Sequence, residues 1–110
     1  MEPNTSNFKP NWASPPGHTI ADILKEKGIS DFKIAVLLGL TKKQLNDLLN
    51  GSMEIDLPLA RRLAIHLGGS TRFWISREAQ YRDDLKRLKE QREQSLTQRL
   101  LGYLYYLLKF

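Results

Sequence analysis

The clearest hydrophobic pattern in the chain lies between Ser30 and Gly51, in the stretch SDFKIAVLLGLTKKQLNDLLNG. Apolar side chains recur there at the three- and four-residue spacing that places them on one face of an α-helix. Gly39 interrupts the pattern, so the stretch predicts two short helices joined by a glycine turn. The predicted buried residues are Ile34, Ala35 and Leu38 in the first helix and Leu45, Leu48 and Leu49 in the second.

The second of these helices has unusually complete start and stop signals. Thr41 can cap its first turn, and Gln44, three residues later, can complete a capping box. Asn50 and Gly51 predict a left-handed stop, so the helix is expected from about Lys42 to Leu49. Its outward side chains are polar ones that can contact phosphates and base edges of nucleic acid. They are Lys42, Lys43, Gln44 and Asn46.

The flanking sequence predicts three more helices, so the predicted fold class is all-α. A first helix is expected from about Gly17 to Lys27, a fourth from Asp56 to Leu67, and a fifth after the capping residue Ser70. Phe73 and Trp74 lie in the fifth helix, and at least one of them should fill the core.

The two ends of the chain differ in composition from this helical region. Residues 1–16 contain four of the five prolines and predict an arm, which either lies over the domain or is a frayed tail. Residues 86–110 predict a C-terminal helix, charged at first and then apolar. Its apolar run of about 15 residues is too short for a membrane span, which needs roughly 20.

Four leucines form an apolar line on this C-terminal helix, and some other surface should bury them. The cover could be the helix's own domain, a second protomer, another protein or a lipid surface. The leucines are Leu96, Leu100, Leu104 and Leu108.

Composition favours a soluble globular protein with an acidic partner. Apolar residues make up 41% of the 110 residues and charged residues 26%, which suits one domain with an extension. The net charge of +5 favours an acidic partner, although proteins that bind nothing also carry a charge of this size. Its distribution is more informative, since the adjacent pair Lys42 and Lys43 lies at a helix start. The first residues lack the apolar core of a signal peptide, so a cytoplasmic location is expected.

The residues that carry catalytic or metal chemistry are absent or badly spaced. The chain has no cysteine, which excludes disulfides and thiolate zinc sites. His18 and His66 are not spaced like metal ligands, and no serine has a histidine at motif spacing. The sequence therefore predicts a protein that is not an enzyme and has no cofactor or metal.

The central stretch resembles the helix-turn-helix of the phage-repressor-like (XRE, Cro/C1) family. The resemblance rests on the small Ala35, the turn Gly39, Thr41 and the terminal Asn50-Gly51. The flanking PPGHTIADILKEKGIS and MEIDLPLARRLAIHLGGSTRFWISREAQYRDDL are similar to the HigA/VapI branch, the antitoxins of type II toxin–antitoxin operons. The run STRFWISREAQYRD is the most specific part, and residues 15–85 are covered.

This resemblance implies a five-helix, lambda-repressor-like helix-turn-helix domain over residues 17–85. The C-terminal helical extension lies beyond the resemblance and is predicted from composition alone. It implies an autorepressor that binds a double-stranded DNA operator as a homodimer and neutralises a RelE/HigB-like ribonuclease toxin. The fifth helix would border the homodimer contact. The implied DNA-binding residues are Thr41, Lys42, Lys43, Gln44, Asn46 and Asn50.

Two features depart from the family pattern. Relatives commonly carry glutamine at position 31, and the carboxylate of Asp31 would repel a DNA phosphate. Phe32, Val36 and Leu37 stand where the family usually has polar residues, and the spacing predicts one shared face. That face receives either the N-terminal arm or another protein. The candidate dimer or partner contacts are Phe32, Val36, Leu37, Phe73, Trp74, Leu100, Leu104 and Leu108.

Two other functions fit the same sequence. One is a stand-alone XRE-type repressor without a toxin, which only the neighbouring gene can distinguish. The other is a protein-interaction module that has lost DNA binding, which Asp31 and Asp47 favour because they add negative charge near the predicted DNA-facing surface.

Overall fold

The computed structural model describes residues 12–109, and every regular element in that part of the chain is an α-helix. The predicted all-α, five-helix fold class is confirmed. The bounds of α1, α3 and α4 lie within one residue of the predicted ones. The helices are α1 (Pro16–Lys27), α2 (Asp31–Leu38), α3 (Lys42–Asn50), α4 (Leu57–Leu67) and α5 (Thr71–Lys109).

Contacts divide the chain into two compact units. Residues Ser14–Arg82 form one unit, which contains α1 to α4 and the beginning of α5. Residues 83–109 belong to the other. The predicted C-terminal extension is helical, and its residues belong to the C-terminal part of α5.

Local capping determines where most of the helices begin and end. The side chains of Ser30, Asp56 and Ser70 each accept a hydrogen bond from a backbone N–H three residues later, as N-caps do. Gly28 and Gly39 end α1 and α2 in the left-handed conformation. Each cap acts within its own turn, which is why the sequence alone predicted these boundaries.

The core of the Ser14–Arg82 unit is formed by the inward faces of all five helices. Burying each large apolar side chain contributes about 1.5–3 kcal/mol. Leu49, predicted to be buried, is only half-buried against this core because it lies at the edge of the inward face of α3. The largest fully buried side chains are Trp74, Ile20, Ile34, Leu38, Leu45, Leu48 and Leu63.

The start of α1 lies directly against the end of α3. Gly17 is buried, and a Cβ atom placed on it would collide with the backbone carbonyl groups of Leu48 and Leu49. No flexible side chain stands between the two backbones at this point. The position of α3 therefore depends on the absence of a side chain at Gly17.

A buried carboxylate holds the loop that follows α3. Glu78 on α5 is 8% exposed, and its Oε2 accepts hydrogen bonds from the backbone N–H of Ile55 (2.9 Å) and from Nε of Arg82 (3.1 Å). Arg82 also donates through Nη2 to the carbonyl oxygens of Gly51 (3.1 Å) and Met53 (3.4 Å). We call Glu78 and Arg82 with these three loop contacts the loop clamp.

Gly51, where the loop begins, has no room for a side chain. Its φ of 87° favours glycine, and a Cβ there would lie 2.6 Å from the hydroxyl oxygen of Tyr81 and 2.9 Å from Cβ of Pro15. The end of α3 is thus enclosed by the chain before α1 and by α5.

Residues 83–109 form a continuous part of α5 with many exposed apolar side chains. Leu100 is 64% exposed, Leu104 50% and Leu108 85%. Within the described residues, no helix is long and apolar enough to cross a membrane.

Replacing Gly17 by alanine should destabilise the protein, because the added methyl group forces α1 and α3 apart. Overpacking of this kind costs about 1–3 kcal/mol, and for a domain of this size about 1 kcal/mol lowers the melting temperature by about 4–8 °C. Thermal unfolding followed by circular dichroism measures the shift. Gly102→Ala is the matched control, because Gly102 has open space around its Cβ position. Equal melting temperatures for the two variants would contradict the proposed contact.

Replacing Glu78 by alanine should also destabilise the protein, because it leaves the Ile55 N–H and Nε of Arg82 without their acceptor. The expected cost is about 1–3 kcal/mol, measured by urea unfolding. Glu54→Ala removes an exposed carboxylate from the same loop and should change stability by less than about 0.5 kcal/mol. A Glu78→Ala variant as stable as the Glu54→Ala variant would show that the loop clamp contributes nothing.

Candidate nucleic-acid interface

The predicted capping box at the start of α3 is present. The backbone N–H of Gln44 donates to Oγ1 of Thr41 (3.1 Å), and the backbone N–H of Thr41 donates to Oε1 of Gln44 (2.9 Å). Both bonds satisfy N–H groups that the first turn of a helix leaves free. The first turn of α3 is therefore rigid, and it fixes the directions of the neighbouring side chains.

The six predicted DNA-binding residues are all exposed, but their side chains are not equally free. Thr41 and Gln44 use their acceptor oxygens in the capping box. Oδ1 of Asn50 accepts from the N–H of Ser52 (3.0 Å), and Nζ of Lys43 pairs with Asp47 (2.9 Å).

The remaining two of the six predicted DNA-binding residues are Lys42 and Asn46. Within the described part of the chain, neither side chain makes a polar contact. They lie four residues apart on α3, on one side of the helix. Their donors are therefore available to a ligand without the loss of an existing bond.

Lys42 and Asn46 form one wall of a groove between α2 and α3. The groove has a volume of about 390 Å³. Phe32 and Val36 of α2 and Leu45 of α3 also line it. We call this feature the α2–α3 groove. Phe32 and Val36 are 82% and 63% exposed.

Two of the predicted partner contacts, Leu37 and Trp74, do not line the α2–α3 groove. Leu37 does not share the open face with Phe32 and Val36; it is half-buried and packs against the core. Trp74 is fully buried, and its Nε1 donates to the carbonyl oxygen of Gly68 (3.0 Å), so it is a core residue and cannot contact a partner. Phe73 packs edge-on against Trp74 and stays 42% exposed.

Three long-range contacts that position the interface were not predicted from the sequence. Nη1 of Arg62 on α4 donates to the carbonyl oxygen of Leu38 (3.2 Å), which ties the end of α2 to α4. Nη2 of Arg77 donates to the carbonyl oxygens of Ser14 (3.3 Å) and Pro15 (3.2 Å), which ties the start of α1 to α5. The loop clamp is the third.

The residues next to these contacts in the sequence give little indication that the contacts form. The four-residue spacing of Glu78 and Arg82 predicts a pair on one helix, but nothing local shows that the pair is turned toward the Gly51–Ile55 loop. In the structure, Arg62 and Arg77 both donate to backbone carbonyl oxygens, which their charge alone does not predict.

The described residues contain no group of three histidine, aspartate or glutamate side chains placed to hold a metal ion. Two negatively charged side chains lie in or near the α2–α3 groove. Asp31 lines the groove, and Asp47 lies on α3 as the partner of Lys43. The candidate interface is thus mixed in charge, and Lys42, at the first position of α3, has no ion-pair partner among residues 12–109.

Known proteins share both the sequence pattern and the fold. Residues 20–74, half of the chain, match the helix-turn-helix family. A protein from Nostoc punctiforme, named as an antidote protein of a plasmid maintenance system, is 30% identical in sequence. The alignment covers 76% of this chain and 94% of that one, with a TM-score of 0.63. No curated protein matches the sequence.

Two further solved structures share the fold at lower identity. An addiction module antidote protein of the HigA family from Coxiella burnetii is 24% identical, with 74% of this chain and 89% of that chain covered and a TM-score of 0.65. The Pseudomonas aeruginosa antitoxin HigA, solved with the higBA promoter, is 22% identical, with 74% and 90% covered and a TM-score of 0.66. The predicted resemblance is confirmed: the chain belongs to the XRE-type helix-turn-helix family, and its structural neighbours are HigA-type antitoxins.

Proposed function

We propose that this protein is a sequence-specific DNA-binding antitoxin that represses its own type II toxin–antitoxin operon. The observation that carries the proposal is the first turn of α3. There a capping box fixes the backbone, and Lys42 and Asn46 present unpaired donors to solvent on one side of the helix. The neighbours named as antidote proteins and antitoxins support the same function.

On this proposal α3 enters the major groove of the operator. Lys42 and Asn46 contact base edges, for which lysine on guanine and asparagine on adenine are suited by geometry. Thr41 and Asn50 keep free donors, a hydroxyl and an amide NH₂, that can bind phosphate oxygens and fix the register. Gln44 likewise keeps its amide NH₂ while its oxygen remains in the capping box.

Lys43 can change partners when DNA binds. Its side chain is 85% exposed and that of Asp47 is 33% exposed, so their ion pair is a surface pair worth at most about 1 kcal/mol. A DNA phosphate can replace Asp47 at this low cost. Asp47 and Asp31 then reduce the affinity without preventing binding.

We also propose a homodimer, which would place two copies of α3 on half-sites about 34 Å apart, one turn of duplex. The supporting observation is the row of exposed apolar side chains in residues 96–108, since exposed apolar patches often mark interaction sites. A second copy would cover this surface.

We further propose that the protein binds a toxin, a RelE/HigB-like ribonuclease encoded beside this gene. The structural neighbours support it, since they are named as antidote and antitoxin proteins. The exposed Phe73, at the start of α5, is the residue we assign to this contact.

Replacing Lys42 and Lys43 together by alanine should lower the affinity for the operator by at least about tenfold. A lysine that reads guanine contributes about 1–3 kcal/mol of discrimination, and each lost phosphate contact reduces the salt slope by about one. Fluorescence anisotropy with a duplex from the region upstream of the gene, at several salt concentrations, measures both effects.

Lys25→Ala with Lys27→Ala is the matched control, because it removes two exposed lysines from the end of α1. Both double variants should melt within a few degrees of the wild type. If both bind the duplex equally well, the assignment of α3 as the DNA-binding element is wrong.

Replacing Leu100 and Leu104 together by aspartate should convert the dimer to a monomer, because four charges would then face one apolar contact. Size-exclusion chromatography with light scattering measures the mass. Gln94→Asp with Gln98→Asp adds the same charge to exposed polar positions of α5 and should leave the dimer intact. A wild-type mass equal to one chain would refute the proposed homodimer.

Co-expression with the product of the adjacent gene should yield a stable complex in which that product's ribonuclease activity is suppressed. Affinity purification through a tag on the adjacent product, followed by an RNA cleavage assay, tests this. If no complex forms while operator binding is normal, the protein is a repressor without a toxin.

A further inference from the structure

The pair of residues that ends α3 has a chemical property that its role in the fold does not use. Asn50 is followed by Gly51, and it is the one asparagine of the chain that precedes a glycine. The fold requires this glycine, because the φ of Gly51 is 87° and a Cβ would lie 2.6 Å from the hydroxyl oxygen of Tyr81. Asn50 is thus followed by a residue that the fold cannot exchange for a larger one.

An asparagine before a glycine can lose ammonia, because no side chain hinders the next backbone nitrogen. The nitrogen of Gly51 attacks Cγ of Asn50, and the new N–Cγ bond closes a cyclic imide. The bond from Cγ to Nδ2 breaks, and Nδ2 leaves as ammonia with the amide proton of Gly51. Water then opens the imide. Cleavage at the Cγ carbonyl gives aspartate, and cleavage at the main-chain carbonyl of residue 50 gives isoaspartate.

The folded structure holds both reacting groups in other hydrogen bonds. Oδ1 of Asn50 accepts from the backbone N–H of Ser52 (3.0 Å), which directs the side chain toward the loop. The N–H of Gly51 donates to the carbonyl oxygen of Leu48 (3.3 Å). For the nitrogen of Gly51 to reach Cγ, the peptide group between Asn50 and Gly51 must rotate and give up the bond to Leu48.

The loop clamp restrains this rotation. Arg82 donates to the carbonyl oxygen of Gly51 (3.1 Å), so residue 51 is held through its N–H and through its C=O. Glu78 holds Arg82 in place through Nε (3.1 Å). Asn50 itself is exposed, so water reaches it directly. We infer that Asn50 is a deamidation site and that opening of the loop clamp sets the rate of the reaction.

The reaction changes the end of α3 that we assign to DNA. The amide NH₂ of Asn50, a donor toward phosphate in the proposed function, is replaced by a carboxylate, which repels phosphate. Only this consequence rests on the proposed function. The chemical step itself depends on the fold of the loop alone.

The test incubates the full-length protein in mildly alkaline buffer and follows each asparagine by peptide mapping with mass spectrometry. Conversion raises the mass of the Asn50 peptide by the mass of water minus that of ammonia. Asn46 is the internal control, because it is exposed on the same helix but is followed by Asp47, whose side chain hinders attack. Asn50 should convert while Asn46 stays intact.

Glu78→Ala should speed the conversion of Asn50 by about 5–150-fold. The loss of the buried acceptor raises the population with an open clamp by this factor, and the rate follows that population when opening is fast compared with the chemistry. Glu54→Ala, in the same loop, should keep the rate of the wild type. If circular dichroism shows Glu78→Ala unfolded, Arg82→Lys replaces it, since the shorter-branched ammonium keeps the charge but not the paired contacts to the loop.

Leu24→Ala is the control for unfolding of the whole domain. Leu24 is buried in the core near the end of α1, whereas the start of α1 lies against α3, and its loss destabilises the domain at least as much as the loss of Glu78. Leu24→Ala should speed the conversion less than Glu78→Ala does. Equal acceleration by the two variants would overturn the inference, because the reaction would then proceed through global unfolding. An unchanged rate in Glu78→Ala would also overturn it.

The effect on DNA is measured by anisotropy with Asn50→Asp, which carries the product side chain, and a duplex selected by the wild-type protein. The affinity should fall at least about tenfold, the equivalent of one hydrogen bond to a charged group. Gln94→Glu, which adds the same charge to an exposed position of α5, should lower it less. Equal affinities for the two variants would overturn the effect on DNA. If the wild type selects no duplex at all, the proposed function fails, and the mass measurements still decide whether Asn50 is the modified residue.

Discussion

The position of α3 depends on how its last turn and the following loop are held. The backbone of α1 approaches that turn so closely that Gly17 cannot carry a side chain, and the loop clamp binds three backbone groups beyond it. The capping box fixes the opposite end. Because α3 is short, these contacts at its two ends determine which way its exposed side chains point. A helix of this length has little stability of its own in water.

The clamp also links two parts of the chain that are distant in sequence. Glu78 and Arg82 belong to α5, whereas the groups that they bind lie between Gly51 and Ile55. A buried carboxylate is stable in such a place only when it is paired and hydrogen-bonded. Oε2 meets this condition through Ile55 and Arg82, while Oε1 is buried without a hydrogen-bond partner among the described residues. Three of the four hydrogen bonds of the clamp therefore join α5 to the Gly51–Ile55 loop, and one lies within α5.

The sequence predicted those features that depend on a few neighbouring residues. The capping box of Thr41 and Gln44 and the glycine stop at Gly39 act within one turn, so their residue types alone were sufficient. The backbone contacts of Arg62 and Arg77 join residues far apart in sequence, and no local pattern reports them. The burial of Trp74 could not be predicted from its neighbours in the sequence either. An aromatic residue near the start of α5 could fill the core or contact a partner, and only the packing of the whole domain distinguishes the two.

The proposed interface combines one cation without an ion-pair partner among residues 12–109, one cation held by a weak surface pair, and exposed apolar side chains on α2. A modest net charge of +5 is compatible with this arrangement, because binding would depend on where the charges lie rather than on their total. Backbone positions at both ends of α3 are fixed before any ligand binds. Little ordering would then be needed on association, which favours affinity.

Amide chemical-shift mapping by NMR, with the full-length protein and a duplex from the region upstream of the gene, tests the central claim most directly. The account predicts that the largest shift changes fall in residues 31–36 and 41–46, on the two sides of the α2–α3 groove. It would be contradicted if residues 41–46 kept their shifts at a duplex concentration that saturates binding, or if the changes were confined to residues 96–109.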